Sequence, residues 1–441
     1  MARISVFGIG YVGVVAAACL ARDGHQVVAV DVDPGKIRSI NDGISPIVEN
    51  GLGELIAAAV AQGRLSATAD VAAAIAATDT SFVCVGTPSA ADGSVGLRYV
   101  EQACRDIGAA LAAKDAYHSV VIRSTIVPGS TEGTCIPALE QASGKRAGVG
   151  FGVGYYPEFL RESTAIEDYD APGLIVFGAM DEPTAQMLTA LNEGLGVSVH
   201  VTDLRTAEMV KYTSNTWRAL KVTFANEIGN IAKANGLDGQ TVMEILCSDT
   251  KVAMSRHFMR PGFAFGGSCL PKDVRALRHL ARATGVEPHL LDAVVEANEA
   301  QIQRARAMVR ASGATEVGFV GIAFKPGTDD LRESPLAELA ARLIEDGIEV
   351  GVYDPDVQEA FASNTAGVGA GRGNDVIPDL EGRMVASLDD LIERTGAILV
   401  GNFYKDTVVA LEAAAARRPV VDLARVSRAR VSDGRYQGIC W

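Results

Sequence analysis

The sequence predicts an α/β protein in which two doubly wound domains are joined by a central helical region. Short apolar runs alternate with helical patterns over residues 1–202, and the same alternation returns over residues 301–441. Between them, residues 203–300 carry helical periodicity, including one long helix. A chain of 441 residues has room for two or three domains, each with its own core. We therefore expect domains at residues 1–202, 203–300 and 301–441.

The first domain begins with a strand and a glycine-rich turn. Residues 4–7 form a short apolar run, and Gly8, Gly10 and Gly13 follow it in the pattern G-x-G-x-x-G. A helical pattern then covers residues 14–22. Strand, glycine turn and helix in this order are typical of a Rossmann-like dinucleotide-binding domain, because the glycines let a pyrophosphate approach the helix N-terminus.

An acidic residue completes this dinucleotide pattern. The second strand, residues 26–30, ends at Asp31, which lies 18 residues after Gly13. A carboxylate in this place can accept hydrogen bonds from a ribose 2′-hydroxyl, and its charge would repel a 2′-phosphate. We therefore expect NAD as the cofactor, in preference to NADP. Lys36 is either a solvated surface charge or a contact to the adenosine end of the cofactor.

The next strands bring polar residues to one edge of the sheet. Residues 81–88 and 119–125 each form a predicted strand that ends in a turn, with Thr87 and Thr125 at the carboxyl ends. Ligands of open α/β sheets bind beyond these ends, although a threonine there is as often the cap of a helix or turn.

Two glutamates follow a further strand, which is expected at residues 149–153. Glu158 and Glu162 lie just after it, in a stretch that begins with two tyrosines and a proline. Either glutamate could act as a general base, and either could be an ordinary solvated charge. The residues alone leave these two interpretations equal.

One long helix is predicted over residues 203–235, closed by Gly236. Lys211 and Asn215 lie one turn apart on one of its faces, while apolar residues cover much of the remaining circumference. This pattern favours an enclosed polar pocket over a solvated face. There the two groups could hold an oxyanion, and Lys211 could also transfer a proton. The face comprises Glu208, Lys211, Asn215, Arg218, Val222 and Asn226.

A cysteine stands in a tight turn at residues 265–273. Two glycines let the backbone bend and approach a ligand closely, and Pro271 suits the first turn of a helix. Cys269 would then lie at or just before a helix N-terminus, beside Lys272, where the dipole and the ammonium favour a thiolate. It is either a nucleophile or a small buried cysteine. The arginines and aromatics of residues 251–263 are either contacts to a phosphate and a nucleobase or a solvated rim.

The last domain repeats the order of the first. A buried strand is predicted at residues 317–324, and the loop after it offers Lys325 and Arg332 to anions. A helix and a strand that ends at Asp354 follow, so the chain contains a weak internal repeat. The second copy lacks the glycine fingerprint, which indicates a ligand other than a dinucleotide. Residues 366–373 are glycine-rich and predict a flexible surface loop.

Composition excludes several classes of function. A formal net charge of −14 argues against a nucleic-acid-binding surface. The seven cysteines are scattered and lack C-x-x-C pairs, which favours free thiols in the cytoplasm. The six histidines show no ligand spacing, so no metal is expected. No apolar run reaches the length of about 18 residues that a membrane-spanning helix needs.

Four motifs together resemble the UDP-glucose/GDP-mannose dehydrogenase family, and the resemblance covers essentially the whole chain. Within the family, the similarity is greatest to members that oxidise GDP-mannose, as judged from Tyr212 and residues 222–230, 259–265 and 438–441. The four motifs are the N-terminal fingerprint at residues 8–13, PEFLRE at 157–162, GGSCLPKD at 266–273 and FKPGTDDLRESP at 324–335.

The resemblance implies a four-electron, NAD-dependent oxidation of a sugar C6 alcohol to a carboxylate. GDP-mannose is the expected substrate and GDP-mannuronate the product, for alginate-type polysaccharide synthesis; 6-dehydrogenation of UDP-glucose or another UDP-sugar is the alternative. Cys269 captures the aldehyde as a thiohemiacetal, which becomes a thioester that water hydrolyses. A nucleotide-sugar sensor without activity would need no such nucleophile. The implied catalytic residues are Cys269, Lys211, Asn215, Asp273, Glu158, Glu162 and Thr125.

The family also implies the residues that bind the two ligands, and pairing of subunits through the central helix as a homodimer or higher homo-oligomer. Around NAD these are Gly8, Gly10, Tyr11, Val12, Gly13, Asp31, Lys36, Thr87, Thr125, Lys272 and Arg332. Around the nucleotide sugar they are Glu162, Lys211, Asn215, Arg218, Asn226, His257, Phe258, Arg260, Phe263, Gly266 and Lys325. Similar enzymes carry a histidine in place of Arg218 and two tyrosines in place of His257 and Phe258.

Overall fold

The computed structural model divides the chain into two compact units, Met1–Ala219 and Leu220–Trp441. It describes residues 1–88, 94–161, 164–255, 261–267, 270–362, 376–427, 430 and 432–441, with all their side chains except those of Val222, Lys272, Asp273 and Ala276.

The first unit is built on an eight-stranded sheet in the order β3-β2-β1-β4-β5-β6-β7-β8. All neighbouring strands are parallel except β6 and β7, which are antiparallel. The strands are short, and those between the edge strands β3 and β8 are mostly buried, as expected for a sheet that is covered on both faces. They are β1 Arg3–Phe7, β2 Gln26–Val30, β3 Leu65–Thr68, β4 Thr80–Val83, β5 Ser119–Ile122, β6 Gly152–Tyr155, β7 Ile175–Ala179 and β8 Val199–Thr202.

Helices cover both faces of this sheet and create two separate cores. The core on one face packs α1 and α3 against Phe82 and Phe177, while the core on the other face packs α5 and α6 against Val83 and Val120. The helices are α1 Tyr11–Arg22, α2 Pro34–Asn41, α3 Leu52–Ala61, α4 Val71–Ala77, α5 Arg98–Leu111, α6 Ile136–Ser143 (after a π-helical turn at Thr131–Cys135), α7 Ala165–Asp170, α8 Glu182–Leu191 and α9 Leu204–Ala234, which continues into the second unit.

The second unit contains a smaller parallel sheet in the order β10-β9-β11-β12-β13. Its strands are β9 Glu316–Val320, β10 Glu349–Tyr353, β11 Ala397–Val400, β12 Val420–Asp422 and β13 Tyr436–Gly438. Its further helices are α10 Gly239–Ser248, α11 Leu270–Ala283, α12 His289–Ala311, α13 Pro335–Glu345, α14 Pro355–Ala362, α15 Leu380–Arg383, α16 Leu388–Arg394 and α17 Val408–Ala414, the last preceded by a 3₁₀ turn at Lys405–Thr407.

The α/β class, with two doubly wound sheets and one long helix between them, is confirmed. Four strands are shifted or shorter than expected. The strands expected at residues 81–88 and 119–125 end at Val83 and Ile122. The strand expected at residues 149–153 lies at Gly152–Tyr155. The one expected at residues 317–324 ends at Val320, because Gly321 turns the chain with a φ of +87° and a Cβ there would lie 2.4 Å from Asn402. The boundaries at 1–202, 203–300 and 301–441 stay a prediction, and residues 366–373 lie outside the described residues.

In the part of the chain that the structure describes, no helix combines the length and the apolar character needed to cross a membrane.

A buried histidine crosslinks the beginnings of three strands of the first sheet. His118 is fully buried, its Nε2 lies 2.7 Å from the Ser81 hydroxyl, and that hydroxyl lies 2.8 Å from the Ser5 hydroxyl. His118 Nδ1 lies 3.1 Å from Lys114 Nζ and 3.2 Å from the Thr78 carbonyl oxygen. Burial, followed by the charge of Lys114, lowers the pKa of His118 to about 3.

Because of His118, we expect the free energy of unfolding to decrease as the pH is lowered. A histidine in the unfolded chain has a pKa of about 6.5. Between that pH and about pH 3, His118 is therefore protonated in the unfolded chain and neutral in the folded chain. The contribution of neutral His118 to the free energy of unfolding is complete above about pH 6.5. It decreases by roughly 1.4 kcal/mol for each pH unit below that value. Urea unfolding between pH 7 and 4 measures the slope of the free energy of unfolding against pH. The variant His118→Gln should reduce this slope, whereas His200→Gln, at an exposed position, should leave it unchanged. A slope unchanged by His118→Gln would contradict this assignment.

Candidate active site

The three glycines of the N-terminal turn have different structural roles. Gly8 has a φ of +95°, and a Cβ on it would lie 2.9 Å from the carbonyl oxygen of Cys84. A Cβ on Gly13 would lie 1.8 Å from the carbonyl oxygen of Gly8, so α1 packs directly on the turn. Gly10 has no atom within 4 Å of the place of a Cβ. Two glycines are therefore required by the protein itself, and the third borders open space.

That open space lies at the N-terminus of α1. Gly10 is the N-cap of the helix and no side chain caps it, while the first intrahelical bond runs from the Val14 N–H to the Gly10 carbonyl at 2.9 Å. The first N–H groups of a helix, here including those of Val12 and Gly13, have no partner within the helix and attract anions. The geometry therefore fits the pyrophosphate of a dinucleotide.

Asp31 follows β2 with only part of its carboxylate engaged. Its Oδ2 accepts from the Ile9 N–H at 2.6 Å and lies 3.6 Å from Lys36 Nζ, and its Oδ1 accepts from the Asp33 N–H at 2.9 Å. A carboxylate has about four acceptor positions, so Asp31 retains capacity for a ribose. Thr87 and Thr125 are half-buried just beyond β4 and β5. This edge of the sheet fits NAD, although the role of each residue stays a prediction.

Replacing Gly13 and Gly10 with alanine should separate folding from cofactor binding. Gly13→Ala forces the turn or α1 to move and is expected to lower both Tm and NAD affinity. Gly10→Ala meets no protein atom, so Tm should hold while a methyl group in the phosphate space weakens NAD binding by about tenfold or more. Thermal unfolding and NADH fluorescence titration measure the two effects.

Gly53→Ala is the matched control, since this position in α3 also has no atom near its Cβ site. Unchanged NAD affinity in Gly10→Ala would show that the pyrophosphate lies elsewhere.

Lys211 and Glu158 form a buried ion pair. Lys211 Nζ lies 2.8 Å from Glu158 Oε1 and donates to the Glu158 carbonyl at 2.6 Å, and the two side chains are 6% and 11% exposed. The other carboxylate oxygen of Glu158 accepts from the Leu160 N–H at 2.7 Å. An ammonium and a carboxylate held this way can exchange a proton or stabilise an oxyanion.

A second buried carboxylate, one turn before Lys211, fixes the loop that follows β5. Glu208 is fully buried and accepts from the N–H of Gly129 and, at 2.8 and 2.6 Å, from the N–H and hydroxyl of Thr131. It thereby ties α9 to the segment that carries Thr125. Sequence patterning placed Glu208 on the polar face but gave it no role; its spacing from Lys211 was the only signal.

The expected enclosure of the polar face is correct for Lys211 and wrong for the residues after it. Lys211 is 4% exposed, whereas Asn215, Arg218 and Asn226 are exposed. The apolar side of α9 is covered only in part: Met209, Trp217 and Leu220 are 56%, 41% and 42% exposed. Helical periodicity shows which residues share a face, but it does not show whether another element covers that face.

In the second unit, a Cβ on either glycine before Cys269 would meet other atoms of the protein and would not point into open space. A Cβ on Gly266 would lie 2.4 Å from the Glu333 carbonyl oxygen, and one on Gly267, whose φ is +86°, would lie 2.9 Å from the Phe324 ring. Asn298 of α12 accepts from the Phe265 N–H at 2.8 Å and donates to its carbonyl at 3.0 Å. The loop after β9 and helix α12 therefore hold this turn.

Helix α11 begins at Leu270 and contains Pro271. Phe263 is half-buried in the turn. Several residues named above cannot be placed: Cys269, Glu162, His257, Phe258 and Arg260 lie outside the described residues, as do the side chains of Lys272 and Asp273.

The four buried cysteines that the structure describes are poor candidates for a nucleophile. Cys19, Cys84, Cys104 and Cys135 are buried and free. Burial raises the pKa of Cys19 and of Cys84 to about 12. A hydrogen bond with Cys135, together with burial, holds the pKa of Cys104 well above its ordinary value. The thiols of Cys19, Cys84 and Cys104 therefore remain protonated near neutral pH. Among the described residues, no group of three or more His, Cys, Asp or Glu side chains is arranged to bind a metal.

The two cations of the loop after β9 differ in their environment. Lys325 is exposed, with its ammonium 5.3 Å from the centroid of the Phe324 ring. Arg332 is paired with Asp330 through two contacts of 2.9 and 2.7 Å.

Asp354 of the second domain occupies the place that Asp31 has in the first. It is fully buried, and its carboxylate accepts four backbone N–H groups, from Ile322, Ala323, Asp356 and Val357, at 2.8 to 3.2 Å. All four acceptor positions are filled, which explains why the same acid does not make a second ribose site.

Comparison with known proteins agrees with this geometry over the whole chain. Three models of one family match in succession: its NAD binding domain at residues 2–195, its central domain at 205–300 and its UDP binding domain at 318–428. The chain belongs to the UDP-glucose/GDP-mannose dehydrogenase family. It is thus an NAD-dependent nucleotide-sugar 6-dehydrogenase, and the predictions of family, enzyme class and cofactor are confirmed.

Full-length relatives are found within the UDP-glucose/GDP-mannose dehydrogenase family. A GDP-mannose 6-dehydrogenase of Pseudomonas putida is 47% identical over 440 residues, which is 100% of both chains. A ternary complex of GDP-mannose dehydrogenase from Pseudomonas aeruginosa is similar in structure, with a TM-score of 0.96 and 45% identity over 100% of both chains. The UDP-glucose 6-dehydrogenase AglM of Haloferax volcanii is 41% identical, over 81% of this chain and 84% of the relative.

Proposed function

We propose that this enzyme oxidises GDP-mannose to GDP-mannuronate. The observation that carries the proposal is the extent of similarity: relatives that act on GDP-mannose match the whole chain at 47% identity, while the UDP-glucose 6-dehydrogenase AglM matches 81% of it. The buried Lys211–Glu158 pair at the carboxyl edge of the first sheet supplies the polar chemistry that such an oxidation needs. A UDP-sugar substrate is the alternative.

The first oxidation converts the C6 alcohol to an aldehyde. When bound, NAD accepts a hydride from C6 in each of the two oxidations. The N-terminus of α1 and Asp31 would hold the cofactor, and Lys211 would stabilise the alkoxide that forms when the C6 hydroxyl loses its proton. Asn215, one turn further along α9, would add a neutral hydrogen-bond donor to the same oxygen.

The second oxidation takes place on the enzyme. The Cys269 thiolate adds to the aldehyde carbon to form a C–S bond, and Lys211 and Asn215 stabilise the resulting oxyanion. Oxidation of this thiohemiacetal gives a thioester. Water then adds to the thioester carbonyl, the C–S bond breaks, and the thiolate is restored. Glu158 or Glu162, with Thr125 and Asp273, would orient that water and take its proton.

The substrate assignment is tested by comparing kcat/KM for GDP-mannose, UDP-glucose and UDP-N-acetylmannosamine under one condition. A clear preference for GDP-mannose is expected, with two NADH formed per sugar because each C6 alcohol loses four electrons. A preference for either uridine nucleotide would overturn the substrate and leave the mechanism standing. One NADH per sugar, with release of free aldehyde, would overturn the mechanism.

We also propose that the enzyme is a cytoplasmic homodimer or higher homo-oligomer and that its product supplies alginate-type polysaccharide synthesis. Its free cysteines suit a reducing compartment. Trp217 and Leu220 on α9, together with Leu237 and Ile245 at 59% and 68% exposure, leave apolar side chains that pairing of subunits would cover. Sedimentation velocity measures the assembly, and a monomer at micromolar concentration would contradict it.

A further inference from the structure

A cavity lies inside the first unit, on the face of the sheet that α1 covers. Its volume is about 560 Å³, within the range of small-molecule sites. Ala16 and Leu20 of α1, Phe82 of β4 and Leu191 of α8 supply apolar walls. Leu20 lies well over two turns along α1 from its N-terminus, so the cavity extends away from the edge where the dinucleotide pattern is found.

An arginine without an anionic partner faces this cavity. Arg123 follows β5, is only 6% exposed, and contributes to the cavity wall. Its guanidinium carbon lies 4.3 Å from the centroid of the Tyr156 ring and 5.3 Å from that of Phe82. Its Nε is buried without a hydrogen-bond partner, and within the described residues no carboxylate forms a salt bridge with it. A buried cation left in this state is unusual, because desolvation of a charge is costly unless the charge is paired.

Three other polar or charged groups on the cavity wall have partners within the protein, and Arg218 adds a second, exposed cation whose Nη2 lies 3.5 Å from the Phe159 carbonyl oxygen. Glu158 is paired with Lys211 at 2.8 Å, and Asp168 is paired with Arg161 at 2.7 Å. The Tyr156 hydroxyl donates to Asn192 Oδ1 at 2.6 Å. Neither of these carboxylates forms a salt bridge with Arg123, so the cavity presents a cation above aromatic and aliphatic surface.

We infer that this cavity binds a small organic anion with an apolar body, whose charged group pairs with the Arg123 guanidinium. A carboxylate or sulfonate matches a guanidinium through paired hydrogen bonds, and a flat or branched apolar body matches the walls formed by Leu20 and Phe82. The bound molecule would also contact the segment that carries Glu158, which gives the site a direct route to the Lys211 ion pair.

Two fluorescent probes with the same ring system test the inference. 8-Anilinonaphthalene-1-sulfonate carries the anion, and N-phenyl-1-naphthylamine has the same body without it. Both are titrated into the full-length enzyme with NAD and GDP present in excess, so that the nucleotide sites are filled. The sulfonate is expected to bind about tenfold or more tightly than the neutral probe, and Arg123→Met should abolish that difference while leaving the neutral probe unchanged.

A second variant tests the cavity independently of the charge. Leu20→Trp fills the space and should weaken both probes, whereas Arg105→Met, at an exposed arginine of α5, should change neither. If Arg123→Met does not fold, as judged by circular dichroism, the inference is tested by comparing the affinities of the two probes for the parent with their affinities for Leu20→Trp. Equal binding of the two probes to the parent, or unchanged binding in Leu20→Trp, would overturn the inference.

Discussion

Replacing Cys269 with alanine is expected to abolish formation of the uronic acid, with kcat lowered by about 10³-fold or more. The aldehyde made in the first oxidation has no thiolate to capture it, so no thioester forms and the second oxidation stops. NAD binding should survive, because the glycine turn and Asp31 that fit the cofactor lie in the first unit. Product analysis and NADH fluorescence titration measure the two properties separately.

Cys247→Ala is the control for this experiment. Cys247 is also free and lies in α10, but it is exposed and lies outside the four motifs described above. The Cys247→Ala variant should form the uronic acid at the parent rate, and thiol-alkylating reagents should inactivate it as they inactivate the parent. A Cys269→Ala enzyme that still makes uronic acid at a substantial share of the parent rate would show that another group is the nucleophile.

Replacing Lys211 with methionine is expected to lower kcat by about 10²–10³-fold, the effect of losing one preorganised oxyanion donor. The substitution also leaves the 11% exposed carboxylate of Glu158 without its cation, so stability should fall by roughly 3–5 kcal/mol. Initial rates with saturating GDP-mannose and NAD, together with urea unfolding, measure the two losses.

The double variant Lys211→Met/Glu158→Gln separates catalysis from folding. Since it removes both members of the buried pair, it should regain most of the stability lost in Lys211→Met, because no lone charge remains buried. Its activity should stay as low as that of the single variant. Recovery of activity along with stability would show that the pair is structural and that the oxyanion is held by other groups.

The sequence was informative wherever a feature depends on neighbouring residues. The strand, glycine turn, helix and Asp31 lie within 31 residues, and the length of α9 follows from an uninterrupted helical period. Contacts between distant segments could not be predicted in this way. Glu208 binds Gly129 and Thr131, which lie 79 and 77 residues away in the chain, and Arg123 meets Tyr156 only through the packing of the sheet.

The burial of individual side chains was also beyond the reach of periodicity. Lys211 and Asn215 belong to the same face of α9, yet one is buried against Glu158 and the other is exposed. Lys211 is buried because Glu158, on the segment after β6, pairs with it, and nothing in the helix sequence records that contact.

All four acceptor positions of the Asp354 carboxylate are occupied, and this limits how the second domain could be redesigned. Installing the glycine pattern in the turn after β9 would not by itself create a second dinucleotide site. The acid that should meet the ribose already accepts the N–H groups of Ile322, Ala323, Asp356 and Val357. A designer would first have to re-route at least two of those donors, and each one released inside the core must find another acceptor. The two halves of the chain therefore share an outline but are not interchangeable parts.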